Sequence, residues 1–157
     1  MNGRPSRPMS LREIRQALRR AGDDRDARIL RWFFKTGPGE YGERDVFVGV
    51  RVPKIRALLR AAGDVPLATA QLLLRSRIHE ERLFALLALV RAFQRGDQAT
   101  RSRIYRLYLA ATRYINNWAS RSATSCALAT NRARASGLRS ARAVALPRRG
   151  GRRSIGP

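Results

Sequence analysis

The chain has one cysteine, one histidine, no long apolar run and no Asp or Glu after Asp97. Each absence excludes something. Cys126 alone rules out an internal disulfide framework and any multi-cysteine metal site. A lone histidine, His79, is a poor case for acid–base catalysis by imidazole. No stretch is apolar for long enough to span a membrane, and Met1–Met9 has no hydrophobic signal core. Those first residues are short, basic and Pro-containing, so residues 1–10 read as a frayed end. A soluble, cytoplasmic protein is the expectation. The missing acids are unevenly distributed. Residues 1–97 carry 20 basic and 11 acidic side chains, whereas residues 98–157 carry 13 basic ones and none acidic.

Arginine dominates what is present. The formal net charge is +22 and the pI is about 11.9. A balance this basic points to a polyanion, and to nucleic acid before an acidic small molecule. The bland alternative is an Arg bias inherited from GC-rich coding DNA.

The hydrophobic pattern over residues 11–118 is mainly that of amphipathic helices. Ser10 and Glu13 form an S-x-x-E capping box, Leu11, Ile14 and Leu18 repeat at helical spacing, and Gly22 stops the helix. Asp23 or Asp24 caps a second helix with Ala27, Leu30, Phe33 and Phe34 on its apolar face. Lys35–Asp45 is too rich in Gly and Pro for regular structure. Val46–Val50 is short, apolar and a candidate for extended backbone. Pro53 suits the first turn of a third helix, with Ile55, Leu58 and Leu59 inward and Gly63 past its end.

Pro66 opens a short fourth helix with Leu67, Ala70 and Leu74 inside. Ser76 begins a fifth, running to about Arg95. Its segment Leu83–Val90 is apolar nearly all round, so it should be the most buried. Gly96 and Asp97 are a stop and a new N-cap. A sixth helix carries Ile104, Leu107, Tyr108 and Ala111. Asn116 or Asn117 caps a seventh, with Trp118 in its first turn. Short links between antiparallel helix pairs predict an all-α chain, with HEAT-like helical repeats forming a partial α-solenoid. No exact repeat is visible, so an irregular bundle stays open. Residues 119–157 are Arg, Ala and Ser with isolated apolar residues. They are expected to be a largely disordered basic tail, because they cannot bury enough apolar area to offset their ordering entropy.

Three stretches carry a resemblance: Lys35–Arg56 (KTGPGEYGERDVFVGVRVPKIR), Ser76–Val90 (SRIHEERLFALLALV) and Asn116–Trp118 (NNW). The chain resembles the AlkD-like DNA alkylation repair enzymes, HEAT-repeat DNA glycosylases, over residues 11–118. Members of that family are longer and continue with further helix pairs.

The resemblance implies removal of N3- and N7-alkylated purines from double-stranded DNA. The DNA would lie on a basic concave surface, with no metal, no small-molecule cofactor and no partner subunit. The family's motif is N-N-W-D-x-V-D. Its Trp meets the lesion's sugar and backbone, and its second Asp, one helical turn later, is the catalytic carboxylate. Trp118 matches the Trp. Ala119 stands at the first Asp and Ser122 at the catalytic one. Arg51 stands where the family faces the DNA groove, with Lys54 and Arg56 as further DNA-binding candidates. A non-catalytic, sequence-independent DNA-binding helical-repeat protein is the alternative.

Other residues invite a sharper reading and do not earn it. His79 reads as structural or capping. Glu80 and Glu81 are adjacent in a helix, point about 100° apart and are no acid–base pair. Each is expected to pair with an Arg such as Arg77, Arg82 or Arg91. Nothing beyond its being a lysine makes Lys35 a Schiff-base former. Gly37–Gly42 lacks the GK[ST] ending of a P-loop and reads as a rigid connection with Tyr41 as its anchor.

The composition break falls inside a motif, which points to a shifted reading frame just after Trp118, with a divergent member bearing a basic tail as the other possibility. The coding DNA decides between them. A shift predicts that one of the two other frames past the Trp118 codon spells D-x-V-D followed by helical sequence. Finding neither refutes it.

Overall fold

A computed structural model describes residues 7–40, 42–43 and 45–112, and among these it is all-helical. The described helices are α1 (Leu11–Ala21), α2 (Asp24–Phe33), α3 (Val52–Ala62), α4 (Leu67–Leu74), α5 (His79–Arg95) and α6 (Gln98–Ala111). No described helix is long and apolar enough to cross a membrane. The helix expected from Asn116 or Asn117, Trp118 within it, and the 119–157 tail lie outside the described residues.

The helix ends follow the local chemistry of the sequence. Ser10 Oγ accepts the Glu13 N–H at 3.3 Å, and the Glu13 carboxylate takes the Ser10 N–H at 2.7 Å. Arg7 adds a two-pronged ion pair to the same carboxylate. The Ser10 hydroxyl foremost, then the Ser10 amide and Arg7, pull the Glu13 carboxyl down to about 2. Asp23 caps α2 through the Asp26 N–H at 3.0 Å, and Asp97 caps α6 through the Thr100 N–H at 2.8 Å. Gly22, Gly63 and Gly96 stand at three helix C-caps.

The helix expected from Ser76 starts three residues later. Ser76 Oγ accepts the Ile78 N–H at 3.1 Å, which holds a turn. The next backbone groups go to Val46, whose N–H bonds Arg77 O at 3.0 Å while its C=O accepts the His79 N–H at 2.9 Å. This single parallel bridge, Val46 to Ile78, keeps Ile78 extended.

Alternate helices lie side by side: α1 packs on α3, α3 on α5, and α1 also reaches α5. Helices α4 and α6 pack on α5 and on each other. Helix α5 is the common neighbour of α1, α3, α4 and α6. The core is filled by Ile14, Leu18, Ile55, Leu59, Leu73, Leu74, Phe84, Leu86, Leu89 and Ile104. Helix α5 supplies more of it than any other described helix, as its apolar run predicts.

The apolar face of α2 departs from its pattern. Ala27 is buried and Leu30 and Phe34 half-buried, but Phe33 is exposed. The helix ends there, and Phe34 at the C-cap stacks on Phe47. Helix α2 thus leans on the loop before α3, and that loop covers only part of its apolar side.

One carboxylate fastens that loop. Glu80, 1% exposed, accepts the amides of Val48 (3.2 Å), Gly49 (2.8 Å) and Val50 (3.3 Å). Three successive amides around one anion make a nest filled from within. The expected Arg partners of the glutamates are therefore corrected. Glu80 takes amides, Glu81 takes Arg15 Nε at 3.1 Å, Arg82 pairs with Asp45 at 2.7 Å, and Arg91 donates to Leu59 O at 3.0 Å. The physical reason is that buried loop amides without a ladder partner need an acceptor, and a buried carboxylate needs donors. Gly49 sits at φ +80°, and a Cβ there would meet the Asp23 carbonyl oxygen at 1.9 Å.

Gly49→Ala and Glu80→Ala should each cost about 3 kcal/mol or more, through backbone clash and through three stranded amides. Thermal unfolding should show Tm lower by more than about 10 °C in both. Glu80→Gln keeps one acceptor oxygen and should lose less. A melt unchanged by both alanines would disprove the fastening.

Candidate nucleic-acid interface

The nest delivers the chain into α3 with Arg51 at its N-cap. Pro53 is preset for the first turn. This helix start has no side-chain cap and no acid in its first turn. By contrast, α1, α2 and α5 carry Glu13, Asp24 with Asp26, and Glu80 with Glu81 in theirs. The positive end of the α3 dipole is thus left uncompensated by its own helix, the usual setting for binding an anion.

Arg51, Lys54 and Arg56 are all exposed and fall within the first two turns from that end. Lys54 follows Arg51 by about one turn, whereas Arg56 stands five positions on from Arg51, about 140° round the helix. The neighbours qualify the site. Arg51 Nε and Nη2 donate to both oxygens of Asp26 on α2, at 2.7 and 2.6 Å. The Arg51 hydrogen bonds are the largest cause holding the Asp26 carboxyl below its usual range, and the same bonds keep Arg51 more firmly protonated. Because Asp26 is depressed, the pair is intact at neutral pH and is lost only as pH falls through that lowered value. Lys54 Nζ reaches the Ala21 carbonyl at the end of α1, at 3.5 Å. Arg51 is thus held in a fixed direction but stays 64% exposed at its side chain, and a phosphate can approach it from solvent.

The other candidates resolve as structure. The His79 ring is buried against Phe47 at 4.8 Å and Phe34 at 5.0 Å, with Nδ1 3.9 Å from Asp45. In the Gly37–Gly42 connection the Gly37 amide goes to Glu40 at 2.8 Å and the Gly39 amide to Glu43 at 3.1 Å. The loop closes on its own acids, which leaves no phosphate cradle there. Lys35 is exposed. Tyr41, Asn116, Asn117, Trp118, Ala119 and Ser122 lie outside the described residues. Among the described residues no three His, Cys, Asp or Glu side chains form a group able to hold a metal.

Two features of the site are not evident from periodicity. One is the Glu80 nest, which orients Arg51. Its only sequence signal is an acidic pair heading the most apolar helix, with V-G-V some thirty residues earlier. The other is the pairing of Arg51 with Asp26, which depends on how α2 and α3 meet.

Comparison with known proteins gives one positive result. A family model described as DNA alkylation repair enzyme matches residues 14–134. Searches of curated proteins and of solved structures each return no match. The matched span includes Arg51, Lys54, Arg56, Trp118 and Ser122. It runs past Trp118 into the segment that composition sets apart. With more than three-quarters of its residues matched and an all-helical body, the chain belongs to the DNA alkylation repair enzyme family.

Proposed function

We propose that the chain binds double-stranded DNA along the start of α3 and derives from glycosylases that excise N3- and N7-alkylpurines, with its own excision activity impaired. The observation that carries DNA binding is a helix start with no acid of its own and with Arg51, Lys54 and Arg56 exposed in its first two turns, on a chain of net charge +22. HEAT-like stacking of further helix pairs would extend this surface.

The chemistry explains why impairment follows from the sequence. An alkylated purine is cationic and already a good leaving group. As its N-glycosidic bond breaks, the deoxyribose becomes oxocarbenium-like. A carboxylate beside the sugar stabilises that charge and positions the attacking water. Trp118 offers an indole face for the cationic nucleotide. Position 122, four residues on, is Ser in place of the family's Asp, and residues 98–157 contain no carboxylate side chain. A hydroxyl cannot supply the negative charge. Losing one such group costs about 3 kcal/mol of barrier, on the order of a hundredfold in rate. The absence of any acid after Asp97 also favours a second reading, a non-catalytic and sequence-independent DNA binder.

Two measurements test this. Duplex affinity should fall steeply with salt, and Arg51→Gln or Lys54→Gln should each reduce the slope of log K against log salt by about one. Binding insensitive to salt would exclude the phosphate contacts. In a base-release assay on N7-methylguanine DNA the unaltered chain should stay near background, and Ser122→Asp should raise release on the order of a hundredfold. Strong release by the unaltered chain overturns impairment, and tight binding without rescue selects the second reading.

A further inference from the structure

The end of α2 presents a surface that the α3 interface does not use. Trp32 is 83% exposed and Phe33 65%. Two adjacent aromatics left in water at a helix end mark a place where something else packs. Phe33 is also held from below. Phe33 stands edge-on to Phe34 at 5.1 Å, Phe34 stacks on Phe47 at 5.4 Å, and Phe47 stacks on buried His79 at 4.8 Å. Trp32 and Phe33 line an open groove of about 630 Å³ together with Arg31, Lys35 and Glu40.

The charges around this groove are positive on balance. From Ala27 to Gly39 the chain has no acid, and it carries Arg28, Arg31 and Lys35. The acids of α2 lie in its first turn, at the other end. Glu40 is the one carboxylate lining the groove, and it is engaged by the Gly37 amide. Arg31 is steadied by its Nε–H bond to Ala27 O at 3.3 Å. A cation in the last turn is ordinary dipole complementation, but that does not account for an indole beside it in solvent.

We propose that Trp32 is a stacking platform for one base of a DNA strand, with Arg31 and Lys35 holding the phosphates on either side of that nucleotide. The proposal rests on DNA being the partner of this chain. An aromatic face between cations is the recurring means of gripping an unpaired base, and it tolerates any sequence because every base has a π-face. A concave groove with one indole suits a single strand better than a flat bilayer. The platform would therefore engage a frayed end, a flap or an unstacked nucleotide next to the duplex that lies along α3.

The test uses the full chain with oligothymidine, a blunt duplex and phosphatidylserine vesicles as probes. Trp32→Ala should weaken oligothymidine binding about tenfold or more and leave blunt-duplex affinity within about twofold. Trp32→Phe should stay within about threefold of wild type. The salt slope should be unchanged by Trp32→Ala and reduced by about one in Lys35→Gln. Oligothymidine should quench the tryptophan emission of wild type, and most of that quenching should be missing in Trp32→Ala. The melt of Trp32→Ala should match wild type, since the side chain is exposed, so a loss of binding will not reflect unfolding. Equal oligothymidine affinity in wild type and Trp32→Ala, with duplex binding intact, overturns the platform and spares the DNA reading. A loss confined to vesicle binding overturns it in favour of a lipid surface. Failure of wild type to bind any DNA overturns both.

Discussion

A carboxylate taken out of water must be met by donors, and the interior of this protein meets that of Glu80 with three loop amides. Much of the described structure is arranged around this constraint. The loop has to curl so that Val48, Gly49 and Val50 point the same way, which places Gly49 at a positive φ against the backbone of Asp23. That contact sets where α2 begins, and the Phe34–Phe47–His79 stack sets where it ends. The Asp45–Arg82 pair and the Val46–Ile78 bridge close the same loop from its other side. Three helices are thus located by a segment that belongs to none of them.

The two proposed surfaces inherit this arrangement. Arg51 follows the nest directly, so its backbone is fixed before its side chain makes any contact, and Asp26 then fixes the side chain. Such preorganisation lowers the ordering cost of a phosphate contact. The aromatic end of α2 is steadied by the same group of residues. The two surfaces therefore share one support, although they offer different chemistry, charge at α3 and a π-face at α2.

Sequence reasoning reached the elements and stopped at their mutual placement. Ser10 with Glu13, Asp23, Pro53, Gly63, Gly96 and Asp97 are local signals, and each acts within a few residues of itself, so they read correctly from the chain alone. The burial of α5 follows from its all-round apolar run. Glu80 and Glu81 were legible as carboxylates on different faces but not in their partners, because those partners lie about thirty and sixty-six residues away. Phe33 failed for a related reason: helical period assigns a face without saying whether anything covers it. The motif around Trp118 rests on resemblance alone, since an indole followed by a serine carries no periodic signature.

The nest also orders events in time. Its amides and its carboxylate are separated by 30 to 32 residues, and the carboxylate comes second. During synthesis, α1, α2 and α3 are complete before Glu80 exists, and until then their connecting loop has donors and no acceptor. These helices therefore do not form a self-sufficient folding unit, and closure waits for the start of α5. A nascent chain paused anywhere short of Glu80 holds Arg51 and the start of α3 on a scaffold that has not yet locked.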